Sequence, residues 1–345
     1  MSRSLNASTR RRKTEAKTQV RTILVAIADP LAKELWVVDR AAQLAKALGA
    51  RLILFHAAFD SSLSGSRLFA SQRLAKARGL YVAERMQALE RRAKTLKRAG
   101  IATTVSVVWE DPPHEAIIRG AIREKADLVV AGAHEHRPDV RPFLRLTDWE
   151  LMRLCPRPVL IVHPASSARD TGAVLAALDP THAYDKPAHL DVSVVTWAST
   201  LAAALQTPCH AVHVVAPGAY PLGATQRERK RHDQQMESKL KQVVRRAHAD
   251  VAAIHIEHGR VADALTEFAT KLPAPMLAMG IISRRWLQRF VVGDTAESVI
   301  RNVPCDLLVV KPAEFRLQLG RTRKEAIVLP ATERPRKSRA ARQRA

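Results

Sequence analysis

CPRPVLIVHPA, residues 155–165, and VPCDLLVVKPA, residues 303–313, are one pattern written twice, 148 residues apart. Each pairs Cys and Pro in its opening residues, runs through an apolar stretch and closes on a basic residue followed by Pro-Ala. Such a run, bounded by turn-forming residues, reads as a strand buried on both faces, as in a parallel sheet. A second pair lies at the other end of the unit: Ala28-Asp29-Pro30 returns as Leu178-Asp179-Pro180, 150 residues on. Offsets that agree at both ends of a unit mean that one domain has been duplicated within the 345-residue chain.

Between these anchors, short apolar runs alternate with longer amphipathic stretches, the order expected of parallel βαβ construction. In the first half, 22–28, 51–58, 101–109, 128–133 and 159–163 read as strands. Helices are expected over 33–48, 67–99, 112–125 and 148–154. The second half repeats the order, with strands at 173–178, 211–215, 251–256, 276–279 and 307–310 and helices at 186–205, 225–249, 261–271 and 295–302. The fold class is therefore α/β: two tandem, doubly wound, five-stranded parallel-sheet domains. Domain 1 is assigned to 21–165 and domain 2 to 172–313, joined by a polar linker over 166–171. Residues 1–20 and 314–345 are expected to be disordered basic tails.

Composition locates the charge. The chain carries a net charge of +23. Residues 1–21 hold seven basic residues and one acidic, and residues 316–345 hold ten and two, so the ends account for 14 of those charges. Like-charge blocks of this kind solubilise a protein or attach it to polyanions without sequence preference. Non-specific nucleic-acid binding through the tails is thus one expectation, with the two domains as scaffold. Three cysteines, Cys155, Cys209 and Cys305, with no CxxC spacing, suit a reducing compartment. No apolar stretch is long enough for a transmembrane helix, and the polar, basic start has no signal-peptide core. A cytoplasmic location is expected.

The strand-ending Asp29 and Asp179, the pieces LFHAAFD and AVHVVAP with His56 and His213, the string GDTAESVIRNVPCDLLVVKP and the duplication together resemble the universal stress protein family, in its tandem two-domain form. The resemblance covers about residues 21–315 and leaves out both ends. It implies a stress-response ligand-binding protein with a five-stranded parallel sheet per domain. It also implies ATP bound through a loop of form G-x2-G-x9-G-[ST] after strand four, with an Asp at the end of strand one near the adenosine. In domain 2 the loop runs from Gly280 to Gly293 at that spacing, with Ser283 in place of the second Gly and Asp294 in place of the Ser or Thr. Thr295 offers a hydroxyl one residue late, and Arg284, Arg285 and Arg289 lie in the loop. Asp294 with Glu297 also fits a helix-capping pattern, so a phosphate site and a plain cap both stand. In domain 1, Gly132 is kept but Glu135 and Arg145 replace the other two glycines. The resemblance thus carries the cofactor site, for ATP or another small ligand, to Asp179, Val214, Gly280, Ser283, Gly293 and Thr295.

No catalytic constellation is found: there is no G-x-S-x-G elbow, Walker A sequence or H-E-x-x-H helix. The protein is not expected to be an enzyme. His134 and His136, flanking Glu135, share a face if strand four continues, and with His56 or His114 would make a zinc set; no metal site is assigned on that basis. The two domains are expected to pack as an intramolecular pseudo-dimer, with homodimerisation of whole chains left open.

Overall fold

A computed structural model describes residues 19–63, 72–133, 146–164, 172–181, 187–282, 298–299, 302–315 and 327–328. The expected linker 166–171 lies outside them, as does nearly all of both tails. The first half places β1 (Thr22–Ala26), α1 (Trp36–Leu48), β2 (Arg51–Ala58), α2 (Gln72–Arg98), β3 (Thr103–Trp109), α3 (Pro113–Arg123), β4 (Leu128–Gly132), α4 (Leu146–Leu154) and β5 (Val159–Val162) in sequence. The second gives β6 (Val174–Ala177), α5 (Ala188–Leu205), β7 (Cys209–Val215), α6 (Gln226–Ala247), β8 (Ala253–His258), α7 (Val261–Lys271), β9 (Met276–Gly280) and β10 (Asp306–Val310). The core begins one residue ahead of the expected boundary, since Val20 is buried.

Local chemistry sets the element ends. β1 reads TILVA and is buried at every residue, which suits β-branched and aliphatic side chains between two helical layers. α1 stops at Gly49, which takes the left-handed conformation that glycine adopts without a Cβ penalty. α6 starts at a capping box, with Thr225 and Glu228 each holding the other's backbone N–H.

Within each half the strand order is third, second, first, fourth, fifth, all parallel, and the two halves join in one sheet ordered β11-β3-β2-β1-β4-β5-β10-β9-β6-β7-β8. The joint is antiparallel: Leu160 of β5 faces Leu308 of β10, with Ile161 opposite Leu307 and Val159 opposite Val309. Leu308 is the counterpart of Leu160 at the 148-residue offset of the repeat. A residue that pairs with its own equivalent marks an isologous contact, the geometry of a two-fold dimer formed within one chain. The short β11 (Ile327–Val328), from the segment assigned to the C-terminal tail, pairs antiparallel with Val108 and Trp109 of the outer strand β3.

Helices cover both faces. Apolar residues of α1, α2, α5 and α6 form one core layer with the sheet. Those of α3, α4 and α7, with Val299 and Val303, form the other. The halves are locked by charge as well as by strands. The Arg40 guanidinium of α1 lies 2.9 Å from the Asp306 carboxylate of β10, both essentially buried. The same carboxylate accepts the His163 backbone N–H at 2.9 Å. Lys311, buried past the end of β10, donates to the carbonyls of Met152 and Cys155 at the C-terminus of α4, where a cation meets the negative end of the helix dipole. Burial pushes the Lys311 amine down to about 8.

Candidate ligand site at the strand ends

In an open α/β sheet the crevice lies where the chain leaves adjacent strands in opposite directions, at their carboxyl ends. In domain 2 that point is between β6 and β9, which pair Ala177 with Met279. Running the register on by two residues puts Asp179 level with Ile281, one beyond Gly280. On the other side β6 pairs Ala177 with Val212 of β7, and the same extension sets Val214 beside Asp179. Of the six residues assigned from the sequence, Asp179 and Val214 are therefore brought level at the switch point, with Gly280 one residue short of them on β9. Ser283, Gly293 and Thr295 lie outside the described residues, as do Asp294 and the loop arginines.

The contacts of these three residues are specific. Asp179 Oδ1 accepts from the backbone N–H and the hydroxyl of Thr181, at 3.1 and 2.5 Å. Its own N–H donates to the buried Asp191 at 3.2 Å, so the turn after β6 is held on both sides. The Val214 side chain is buried in the layer beneath α7, so it serves the core. A Cβ placed on Gly280 would meet Cγ and Cδ2 of Leu190 at 2.8 Å. The glycine is required there by close packing of α5, a reason that the loop pattern did not reveal. Domain 1 repeats this at Gly132, where a Cβ would meet the Trp36 ring at 2.6 Å.

His56 and His213 occupy matching places on β2 and β7. His56 Nδ1 donates to the Ile27 carbonyl at 2.8 Å and His213 Nδ1 to that of Leu178 at 3.0 Å, with the imidazole tautomer set by these acceptors. Each histidine thus pins the end of the first strand of its domain, two residues before Asp29 and one before Asp179. Desolvation lowers the His56 pKa to about 4 and keeps the ring neutral. His134 and His136 lie outside the described residues, and among the described residues no group of three or more metal-ligating side chains is gathered. All three cysteines are buried free thiols; burial pushes Cys155 up to about 11 and Cys209 to about 12, which leaves them unreactive as nucleophiles.

The outer strand ends of the two domains differ. In domain 2, Tyr220 donates to Asp233 at 2.8 Å, and His258 at the end of β8 sits 2.9 Å from the Tyr220 hydroxyl and 3.2 Å from Asp233. Burial and the Asp233 carboxylate raise the Tyr220 hydroxyl to about 12. In domain 1 the matching place is aromatic: Trp109 packs against Phe59 and Tyr81, each at 5.7 Å between ring centroids, with Arg78 and Arg85 over the rings. Sequence reasoning missed both clusters because their members come from separate strands, loops and helices.

Two tandem doubly wound units joined in one sheet define a two-domain α/β class of protein. The profile of the Universal stress protein family matches residues 19–163 and 182–311, and the chain belongs to that family. It is similar to universal stress protein E of Salmonella typhi, 27% identical over 304 residues that span 85% of this chain and 95% of that protein. Universal stress protein E of Escherichia coli K12 is 26% identical over the same shares. Among solved structures it resembles a functionally unknown protein from Pseudomonas aeruginosa PAO1, with a TM-score of 0.64, 22% identity and coverage of 85% of this chain and 93% of that one. A universal stress protein from Archaeoglobus fulgidus gives a TM-score of 0.58 at 19% identity, over 85% of this chain and 99% of that one. No helix among the described residues is long and apolar enough to cross a membrane.

Proposed function

We propose that this tandem universal stress protein binds one small ligand, an adenine nucleotide, at the switch point of domain 2 and acts through conformation or partners rather than by catalysis. The observation that supports this most is the gathering of Asp179, Val214 and Gly280 within one residue of the same level at the ends of three adjacent strands. Asp179 is the acceptor for the ligand's ribose or base, and Gly280 opens the loop that reaches Gly293 at family spacing. Ser283, Gly293 and Thr295 line the phosphate path, with backbone N–H groups and the next helix start as donors. Domain 1 serves as the structural half: its Gly132 lies under the large Trp36 ring, and no glycine follows at the loop's far end. The protein acts in the cytoplasm on this reading, and its catalytic residues are none.

Asp294 stands where the phosphate is held and repels it. Calorimetric titration with ATP tests the site: Asp294→Ser should tighten binding about tenfold, equivalent to about 1.4 kcal/mol. Gly293→Val should abolish it by blocking backbone approach. Saturable binding that survives Gly293→Val, or none even in Asp294→Ser, removes this reading.

A further inference from the structure

The seven α-helices of the described residues are electrically two-sided about the sheet. The helical layer made by α1, α2, α5 and α6 holds 19 Lys and Arg against 7 Asp and Glu. The opposite layer of α3, α4 and α7 holds 4 against 5. Almost all of the excess sits on α2, with nine bases and two acids, and on α6, with eight and three. These are the same helix of the repeat, the one after the second strand, lying over the outer strands of the two halves.

The bases also face outward. α6 turns Met236, Leu240 and Val243 into the core, while Arg227, Arg231, Lys241 and Arg245 recur at helical spacing on the far side, all exposed. α2 buries Val82, Leu89 and Ala93 and presents Arg73, Arg91, Lys94 and Arg98 along its outer line. We infer that this layer is a docking face for duplex nucleic acid, engaged through the phosphate backbone by α2 and α6, beyond whatever the basic ends contribute.

The chemistry of the face selects this partner. A helix that lies in a lipid surface sends an apolar side into the acyl boundary. Here the apolar sides of α2 and α6 are already spent on the sheet, and Leu80 is the exposed large hydrophobic on their two spans. Among the described residues the exposed large hydrophobics, Leu31, Leu80, Ile122 and Leu222, include no aromatic on which unpaired bases would stack. Charge alone remains, and it favours a regular array of phosphates read without sequence preference.

The test uses the full chain and a labelled duplex of about 30 base pairs, titrated between roughly 50 and 200 mM salt. One variant carries Arg91→Gln, Lys94→Gln and Arg98→Gln; another carries Arg227→Gln, Arg231→Gln and Arg245→Gln. Each should lose about tenfold or more in affinity near 150 mM salt, and its log–log salt slope should flatten by about 0.9 for every base engaged. Arg123→Gln with Lys271→Gln, on the other layer, should change neither. Acetylation footprinting of the unaltered chain gives a readout that needs no variant: the duplex should protect Lys94, Lys97, Lys230 and Lys241 and leave Lys271 reactive. Unchanged slopes in both triple variants, protection confined to the basic ends, or tighter binding to phosphatidylserine vesicles than to the duplex would each overturn the inference.

Discussion

His56 and His213 show what single residues do at the strand ends, because each spends its Nδ1 proton on a carbonyl close ahead of the strand-ending Asp, Ile27 two residues before Asp29 and Leu178 one before Asp179. For His56 this has a pH consequence. Its pKa falls from 6.5 to about 4 on folding, so the unfolded chain takes up the proton first as the medium is acidified. The stabilisation is complete above about pH 6.5 and is lost as pH falls toward 4, amounting to about 3 kcal/mol at most. His56→Gln keeps a donor for Ile27 but does not titrate. Urea melts at pH 7 and pH 4.5 should therefore show a smaller acid loss in the variant than in the parent. Gly280 supplies the second prediction at this scale. Gly280→Ala should cost about 1–3 kcal/mol by pressing on Leu190, and the double variant with Leu190→Ala should cost less than the two single effects combined. Additive costs would show that the two side chains do not meet. The aspartates were legible in the sequence because an Asp-Pro pair closing an apolar run is a local signal. The Leu190 contact was not, since it joins residues 90 apart that share no pattern.

At the scale of elements, periodicity located the α-helices and strands of the two halves among the described residues, with ends moved by a few positions, but not the 3-10 turn at Ser61–Leu63. α1 begins at Trp36 where the amphipathic pattern starts at 33, while residues 67–71 of the span expected for α2 lie outside the described residues. Such a difference is of the size expected at helix ends, because the apolar repeat marks the buried face and not the first hydrogen-bonded turn. α6 has an explicit cap, so Thr225→Ala should lower stability by about 1 kcal/mol, measured as a shift in the urea midpoint with the slope unchanged. A shift in the slope instead would mean that more than the first turn had been lost. β11 escaped sequence reading altogether: two residues, Ile327 and Val328, in a basic stretch carry no periodic signal.

For the whole molecule, the repeat was readable and its assembly only in outline. A pseudo-dimer was expected from the resemblance, but the continuous sheet through β5 and β10 depends on which strand edges are left open, which no single repeat encodes. The sequence does differ between the halves at the joint, with Asp306 and Lys311 where the first copy has Pro158 and His163. Those substitutions carry the buried Arg40–Asp306 pair and the Lys311 contacts to α4. Asp306→Asn leaves the buried Arg40 guanidinium facing a neutral amide and should cost about 3–5 kcal/mol, while Arg40→Met with Asp306→Leu should restore most of it. The two halves should then melt in one transition in the parent and separate in Asp306→Asn, as followed by differential scanning calorimetry.

The asymmetry of the two halves is also what the functional account rests on: one structural domain and one ligand-holding domain in each chain. Native mass spectrometry of the full chain with ATP counts the occupied sites directly. The account predicts a single nucleotide per chain, retained in Asp29→Ala and lost in Asp179→Ala. Two nucleotides per chain, or one that leaves with Asp29→Ala and stays with Asp179→Ala, would contradict it.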